Sequence, residues 1–546
     1  MIRVFIVFIA FAVAVAGCTS GTPETATTGS SRRAGSPATR SAIRGADLPI
    51  SCGPATQKQF DRALFLLHNM MYSQARGELE SAARANGTCA MLYWGIAMTW
   101  FWPLWSGQPT VEALTAGAAA VEQAKRLDAS ERERAYVAAV AGYYKDWQAT
   151  KTATRLKNWE ASQRELAARY PEDVEAQSFW ALSLLATADR YDKTYAQQLR
   201  AARLIEKLLA RRPEHPGLLH NLVHAYDNPA HSHQAVAVAD HYKDVAPRAP
   251  HALHMPSHIY VRLGRWTDVI ASNIKSAAAA REQPAPGGVV SRDFLHASDY
   301  LVYAYLQRGD DAKASEVLAK LDPAVAFEQD SGPGAYALAA APARFAIERF
   351  DWKSAANLPI RRIEYTWDKF PWAEAVVYST RALGAARLGD VKSATRQLAE
   401  LDRLKPLVES SWWQGRIQIE KDVVASWVAH EKGDDARALE MMKAAASKEI
   451  QAGKESTEPG HVIHAAEQLG FLMLELKRPE EALAAFEAAL ADSPKRFNSL
   501  LGAGQAAEAA RKPEAATKYY AELVQMSVAS ERPGYKQAKA AVGGHK

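Results

Sequence analysis

The sequence has no glycine-rich phosphate loop, no G-x-S-x-G elbow and no H-E-x-x-H pair. That removes the commonest signatures of nucleotide binding, serine hydrolysis and zinc proteolysis. No stretch reads as a β-strand. Net charge is only +5, with no dense lysine or arginine block, so no nucleic-acid partner is expected. The apolar run from Val4 to Val15, 12 residues long, is short of the ~20 that cross a membrane. Cysteine is scarce, at three residues.

What the N-terminus does have is an address. One positive charge at Arg3 precedes the apolar run, which ends in Val15-Ala16-Gly17-Cys18. Charge, short h-region and small residues are the parts of an export signal, and the last four residues resemble a bacterial lipobox. The resemblance implies a signal peptide over 1–17, cleavage before Cys18 and acylation of that cysteine. Thr19 is not the Asp of inner-membrane retention, which points to the periplasmic face of the outer membrane. Residues 18–50 open with Ser, Thr, Gly, Pro and Ala and have little to bury. They are expected to form a flexible tether. Cys52 and Cys89 then remain as a candidate disulfide in an oxidising envelope.

Hydrophobic residues make up 48% of the 546-residue chain, and the abundance of alanine suits close-packed helices. An internal repeat is visible near the C-terminus. Gly470, Ala482 and Phe486 return 34 positions later as Gly504, Ala516 and Tyr520, the spacing of a tetratricopeptide (TPR) hairpin. Small residues stand where paired helices cross, and the aromatic fills the gap to the next pair. The same grammar runs upstream. Turns at Gly264, Gly309, Gly389 and Gly433 are each followed five positions on by Val269, Ala314, Ala394 and Ala438. Ala75 holds the matching place in the first hairpin. The spacing predicts an all-α, TPR-type superhelical solenoid over 51–535, of about ten to twelve hairpins. The best repeats lie in 463–530, and a disordered tail is expected over 536–546.

Histidine is the unusual residue. Nine of the 15 lie between His215 and His258. His220 and His224 form an i,i+4 pair, and His254 and His258 repeat it 34 residues on. Asp227 follows the first pair, and His251 precedes the second. In the next hairpin the register puts His296, Asp299 and Tyr303 at the corresponding positions. Residues so spaced share one helix face, and that face of a TPR first helix lines the concave groove. The strip at 217–303 is therefore His220, His224, Asp227, His251, His254, His258, His296, Asp299 and Tyr303.

Two readings follow. In the first, the groove binds a protein, peptide or small ligand, with the strip as its polar centre. In the second, His220, His224, His254, His258 and His296 are the candidate ligands of one transition metal ion, as four nitrogens or as three ligands with water, since i,i+4 imidazoles on one face suit zinc, copper or iron. Asp227 and Asp299 would then ligate, orient a ligand or serve as base. Whether any reaction is catalysed is left open. His215, His231, His233 and His241 fall in loops or second helices and are expected to be solvent-exposed. Tyr226, Tyr260 and Tyr300 are expected to pack rather than ligate. The aromatic run Trp100–Trp105 is expected to pack around Pro103, or else to cover one end of the groove. His461 and His464 reach the site only if the solenoid curls back on itself.

The string His251-Ala-Leu-His-Met-Pro-Ser-His-Ile259 resembles the exported bacterial TPR lipoproteins. So do Asp189–Tyr195, Asp299–Gln307 and Pro494–Leu500. The resemblance covers about 52–526 and implies the fold and a functional histidine region, with no reaction attached.

Overall fold

The computed structural model describes residues 46–104, 109–285, 287–321, 326–361, 363–528 and 530–543. The expected signal peptide, Cys18, most of the tether and Trp105 lie outside the described residues. Residues 42–546 form one compact unit.

Described residues fold into helices, with two isolated β-bridges, Ala285 to Val289 and Val290 to Phe327, as the only extended pairing among them. The helices pair in chain order into twelve hairpins, from Pro54–His68 with Tyr72–Ala85 to Phe497–Ala509 with Pro513–Met526. A last helix, Pro533–Gly543, follows. The fold is an all-α, TPR-type solenoid. The final helix replaces the disordered tail expected from 536, because Tyr535 and Ala538 are buried against the preceding hairpin. The tether also ends earlier than 50. Leu48 is buried, and the Asp47 and Ile50 amides donate to Glu175 and Gln57.

The repeat residues do what their spacing implies. Val269, Ala314, Ala394 and Ala438 are fully buried. Gly309 turns its hairpin at φ +67°, a left-handed conformation that costs glycine little. At Gly504 a Cβ would lie 2.3 Å from the Tyr520 ring, and at Gly470 2.6 Å from the Phe486 ring, so the aromatic occupies the place a side chain would need. Cys52 and Cys89 are disulfide-bonded, with Cα atoms 5.6 Å apart. No helix among the described residues is long and apolar enough to cross a membrane.

The solenoid closes over its own inner face. Residues 453–464, between the helices Asp435–Ala452 and Ala465–Glu475, cross to the histidine-bearing hairpins. Lys454 Nζ donates to Asp227 at 2.9 Å, Ser456 Oγ to the Leu104 carbonyl at 3.0 Å, and Tyr300 OH to the Glu458 carbonyl at 3.3 Å. Beyond them lies a buried ionic core. Arg344 meets Asp299 at 3.0 Å, and Arg496 meets Glu348 at 2.9 Å and Glu467 at 3.1 Å. Ions taken out of water need such partners, so this core ties residues 299–348 to residues 467–496.

Candidate functional site

Three consecutive first helices supply the histidines. Pro216–Tyr226 carries His220 and His224, with Asp227 as its C-cap. Pro250–His254 and Pro256–Arg262 carry His251, His254 and His258. Met255 between them keeps helical angles, φ −51° and ψ −38°, so Pro256 leaves the i,i+4 face intact. Arg292–Gln307 carries His296.

The six imidazoles form two groups of three. In one, His220 Nε2 lies 3.2 Å from His224 Nε2 and 3.3 Å from His251 Nε2. In the other, His254 Nε2 lies 3.1 Å from His258 Nε2, and the His296 ring centre is 4.2 Å from that of His254. Each group joins the i,i+4 pair of one first helix to a histidine from the next. The groups touch, with the His224 and His258 ring centres 5.5 Å apart. This differs from the single site expected, which drew its ligands from five candidates without His251. His251 belongs with the candidate ligands, because the curvature of the superhelix carries the start of each first helix back over its predecessor.

Proton positions follow from the surroundings. Asn273 Nδ2 donates to the Val269 carbonyl at 2.8 Å, which turns its Oδ1 toward His254 Nδ1 at 2.7 Å. An amide oxygen only accepts, so His254 carries its proton on Nδ1. His258 Nδ1 donates to the Asp227 carboxylate at 3.1 Å, and His220 Nδ1 to the His68 carbonyl at 2.9 Å. In the neutral rings, therefore, the Nε2 atoms of His254 and His258 are both lone pairs, and they face each other at 3.1 Å.

Electrostatics hold the rings neutral. Burial lowers His220 to about 3 and keeps His224, His251, His254 and His296 well below the usual histidine range. Burial also lowers His258, although Asp227 pulls the other way. Burial opposes the charge of Asp227, but Lys454, Arg262 and His258 outweigh it and hold the carboxyl well below its ordinary value. A cavity of about 10 Å³ lies among His224, His251, His258 and His296 and is lined as well by Leu104, Ser456 and Thr457. That is the size of one water or one ion.

Several expected members stand elsewhere. Asp299 pairs with Arg344, and the Tyr303 hydroxyl accepts from Arg496 Nη1 at 2.8 Å. Both belong to the ionic core. Along Arg292–Gln307 the residue four after His296 turns to the histidines, whereas Asp299, three after it, does not. Tyr300, expected only to pack, therefore lies on the site, its ring centre 4.4 Å from His254 and 5.2 Å from His296. His215 is buried rather than exposed. It and His68 both meet Glu175, at 3.0 and 2.7 Å. The carboxylate accepts from both rings, so this third group is complete as hydrogen bonds. His233 and His241 are exposed, and His231 is half-buried beside Asn228. The chain does curl back, but His461 and His464 are buried with Glu458 and the ionic core, outside both groups of three. Of the 100–105 run, Leu104 reaches the histidine cavity. Sequence reasoning missed His68, Asn273, Arg262 and Lys454. Arg262, four residues after His258 on the same helix, shares its face and was legible from spacing, whereas His68, Asn273 and Lys454 come in from other helices and loops.

The strip expected to line an open groove is covered. Apart from His224, the six histidines are buried, and residues 453–464 pack against the hairpins that carry them.

Comparison with protein-family models gives no match, and no curated protein matches the sequence. Among solved structures the chain is similar to a monomeric mutant of IFIT1 with Gppp-AAAA, at 13% identity over 87% of this chain and 96% of that one, with a TM-score of 0.38. It is similar to the human IFIT1 dimer with PPP-AAAA at 12% identity, 86% and 94% coverage and a TM-score of 0.39. Yeast Tom70 is similar at 12% identity, 90% and 96% coverage and a TM-score of 0.28. Likeness this low leaves the fold resting on the hairpin pairing itself. That pairing and the site define the class: a helical-repeat solenoid with a buried histidine centre.

Proposed function

We propose that the protein binds transition metal ions, one in each group of three imidazoles. The observation that carries this reading is the His254–His258 contact. Two Nδ1-protonated, neutral rings point bare nitrogens at each other across 3.1 Å, an arrangement that repels unless a cation lies between them. The donor set fits. Two nitrogens bound tetrahedrally at 2.0–2.1 Å to one ion stand about 3.3 Å apart, against 3.1, 3.2 and 3.3 Å here. Imidazole suits zinc, copper, iron and nickel alike.

His220, His224 and His251 would hold one ion, and His254, His258 and His296 the other. His68, Asn273 and Asp227 fix the rings of His220, His254 and His258 through their Nδ1 protons, the arrangement that orients metal-bound histidines. Three imidazoles leave a coordination position open, as catalytic metal centres do and closed structural ones do not. A bound ion would supply Lewis-acid or redox chemistry there, beside Ser456, Thr457 and Leu104.

Elemental analysis of untagged protein, prepared without chelator, tests this. Two equivalents of a transition metal are expected, with one lost in His220→Ala and one in His296→Ala. Metal-free wild-type protein after reconstitution would overturn the reading.

We also propose that the chain is exported and lipid-anchored through Cys18 at the periplasmic face of the outer membrane. Residues 4–18 support this reading. Fatty-acid labelling that survives in Cys18→Ser would refute it.

A further inference from the structure

The first group of three has one member that is not fully buried, His224. Its exposed side opens on a pocket of about 630 Å³, formed where the end of Pro216–Tyr226 meets the 189–198 turn, Arg262, the 450–454 segment and Asp492. Four cationic side chains line it: Arg190, Lys193, Arg262 and Lys454. Only two carboxylates, Asp227 and Asp492, line it with them.

Positive charge is left over when the ion pairs are assigned. Asp227 is one carboxylate shared by Arg262 Nε at 2.9 Å and Lys454 Nζ at 2.9 Å, and it also accepts from His258. Arg190 is matched by Glu455 at 2.8 Å. Lys193 forms no ion pair among the described residues and stands exposed on the rim, with Asp492 near enough to favour its charge. Its position is built. Asp192 accepts from the Thr194 amide at 2.9 Å and hydroxyl at 2.6 Å, and Tyr195 takes the left-handed φ of 52°. Across the rim, a Cβ on Gly453 would lie 3.3 Å from Lys193 Nζ, so the backbone there passes close beneath the ammonium. A pocket walled by excess cation, with a low-dielectric floor, concentrates anions.

We propose that this pocket binds a small organic anion, a molecule carrying a carboxylate or phosphoryl group, and presents it to the histidine centre at His224. Its link to a metal rests on the function proposed above, but its affinity for anions does not. Arg262 and Lys454 are engaged with Asp227 and contribute their share of the field, while Lys193 supplies a point charge able to contact an oxyanion directly. About 630 Å³ is the size of a pocket for a small metabolite, well above that of an ion.

The test is calorimetric titration of the full chain, freed of metal, at low salt with inorganic phosphate and, separately, with succinate. Binding of at least one probe is expected, and which one binds distinguishes the phosphoryl from the carboxylate source. Lys193→Ala should weaken it ~3- to 10-fold and Lys193→Glu more than 10-fold, since like charge replaces attraction. Raising the salt should weaken it further. Lys193 is exposed and unpaired, so neither variant threatens the fold, which circular dichroism checks. Failure of both probes to bind, or binding undiminished in Lys193→Glu, overturns the proposal. Elemental analysis of the same preparations after reconstitution with metal separates the two readings. Metal without anion binding refutes the pocket alone, and anion binding without metal refutes the metal centre alone.

Discussion

Lowering the pH of the metal-free protein should unfold it steeply, and the histidine centre sets the size of the effect. Five imidazoles, those of His220, His224, His251, His254 and His296, have folded-state pKa values far below that of a free histidine, because burial penalises their charged forms. In the unfolded chain each titrates near 6.5. Below that pH the unfolded state binds protons that the folded state does not, so stability falls as pH falls. At pH 6.5 the loss is about 0.4 kcal/mol per ring, and at pH 5.5 about 1.4 kcal/mol. For five rings that is ~2 and then ~7 kcal/mol, against ~0.3 at pH 7.5. A typical total stability of 5–15 kcal/mol would be largely consumed. Thermal melts by circular dichroism at pH 7.5, 6.5 and 5.5, after chelation, read this directly. A loss under ~2 kcal/mol between pH 7.5 and 5.5 would mean that the rings accept protons in place, and would refute their description as dry and neutral. Added metal at pH 7.5 should raise the melting temperature in proportion to the logarithm of its concentration.

Other substitutions probe the frame. Gly504→Ala drives a methyl into the Tyr520 ring 2.3 Å away and should cost ~1–3 kcal/mol by urea denaturation. Arg496→Met strands Glu348 and Glu467 in the core and should cost ~3–5 kcal/mol, several times the effect of an exposed arginine such as Arg403. Opening the Cys52–Cys89 bridge, which spans 37 residues, should cost ~4 kcal/mol in the loop-entropy description, seen as a lower melting temperature under reductant.

Much of the site is legible in sequence because it is repetitive. The 34-residue return of His220 and His224 as His254 and His258 follows from helix geometry alone. Periods of 3.6 and 34 are local properties that survive without knowledge of the rest of the fold. The same periodicity carries the hairpins, the turn glycines and the small residues at crossings such as Ala314 and Ala438.

The limits of that legibility are equally physical. A one-position difference in the face of Arg292–Gln307 exchanges Asp299 for Tyr300 at the histidines. Helical faces are 100° per residue apart, and a register taken from one glycine does not fix them that finely. Sequence by itself determined the solenoid, the 34-residue repeat and the set of histidines that could meet. Only the tertiary structure decided that they divide three and three, that His251 joins the first group, and that Asn273, Asp227 and the His68 carbonyl set their protons. It also decided that the inner face is filled rather than open. Contacts such as Lys454 with Asp227, 227 residues apart, depend on how a whole superhelix curves back on itself, and small rotations accumulated over many hairpins set that curvature.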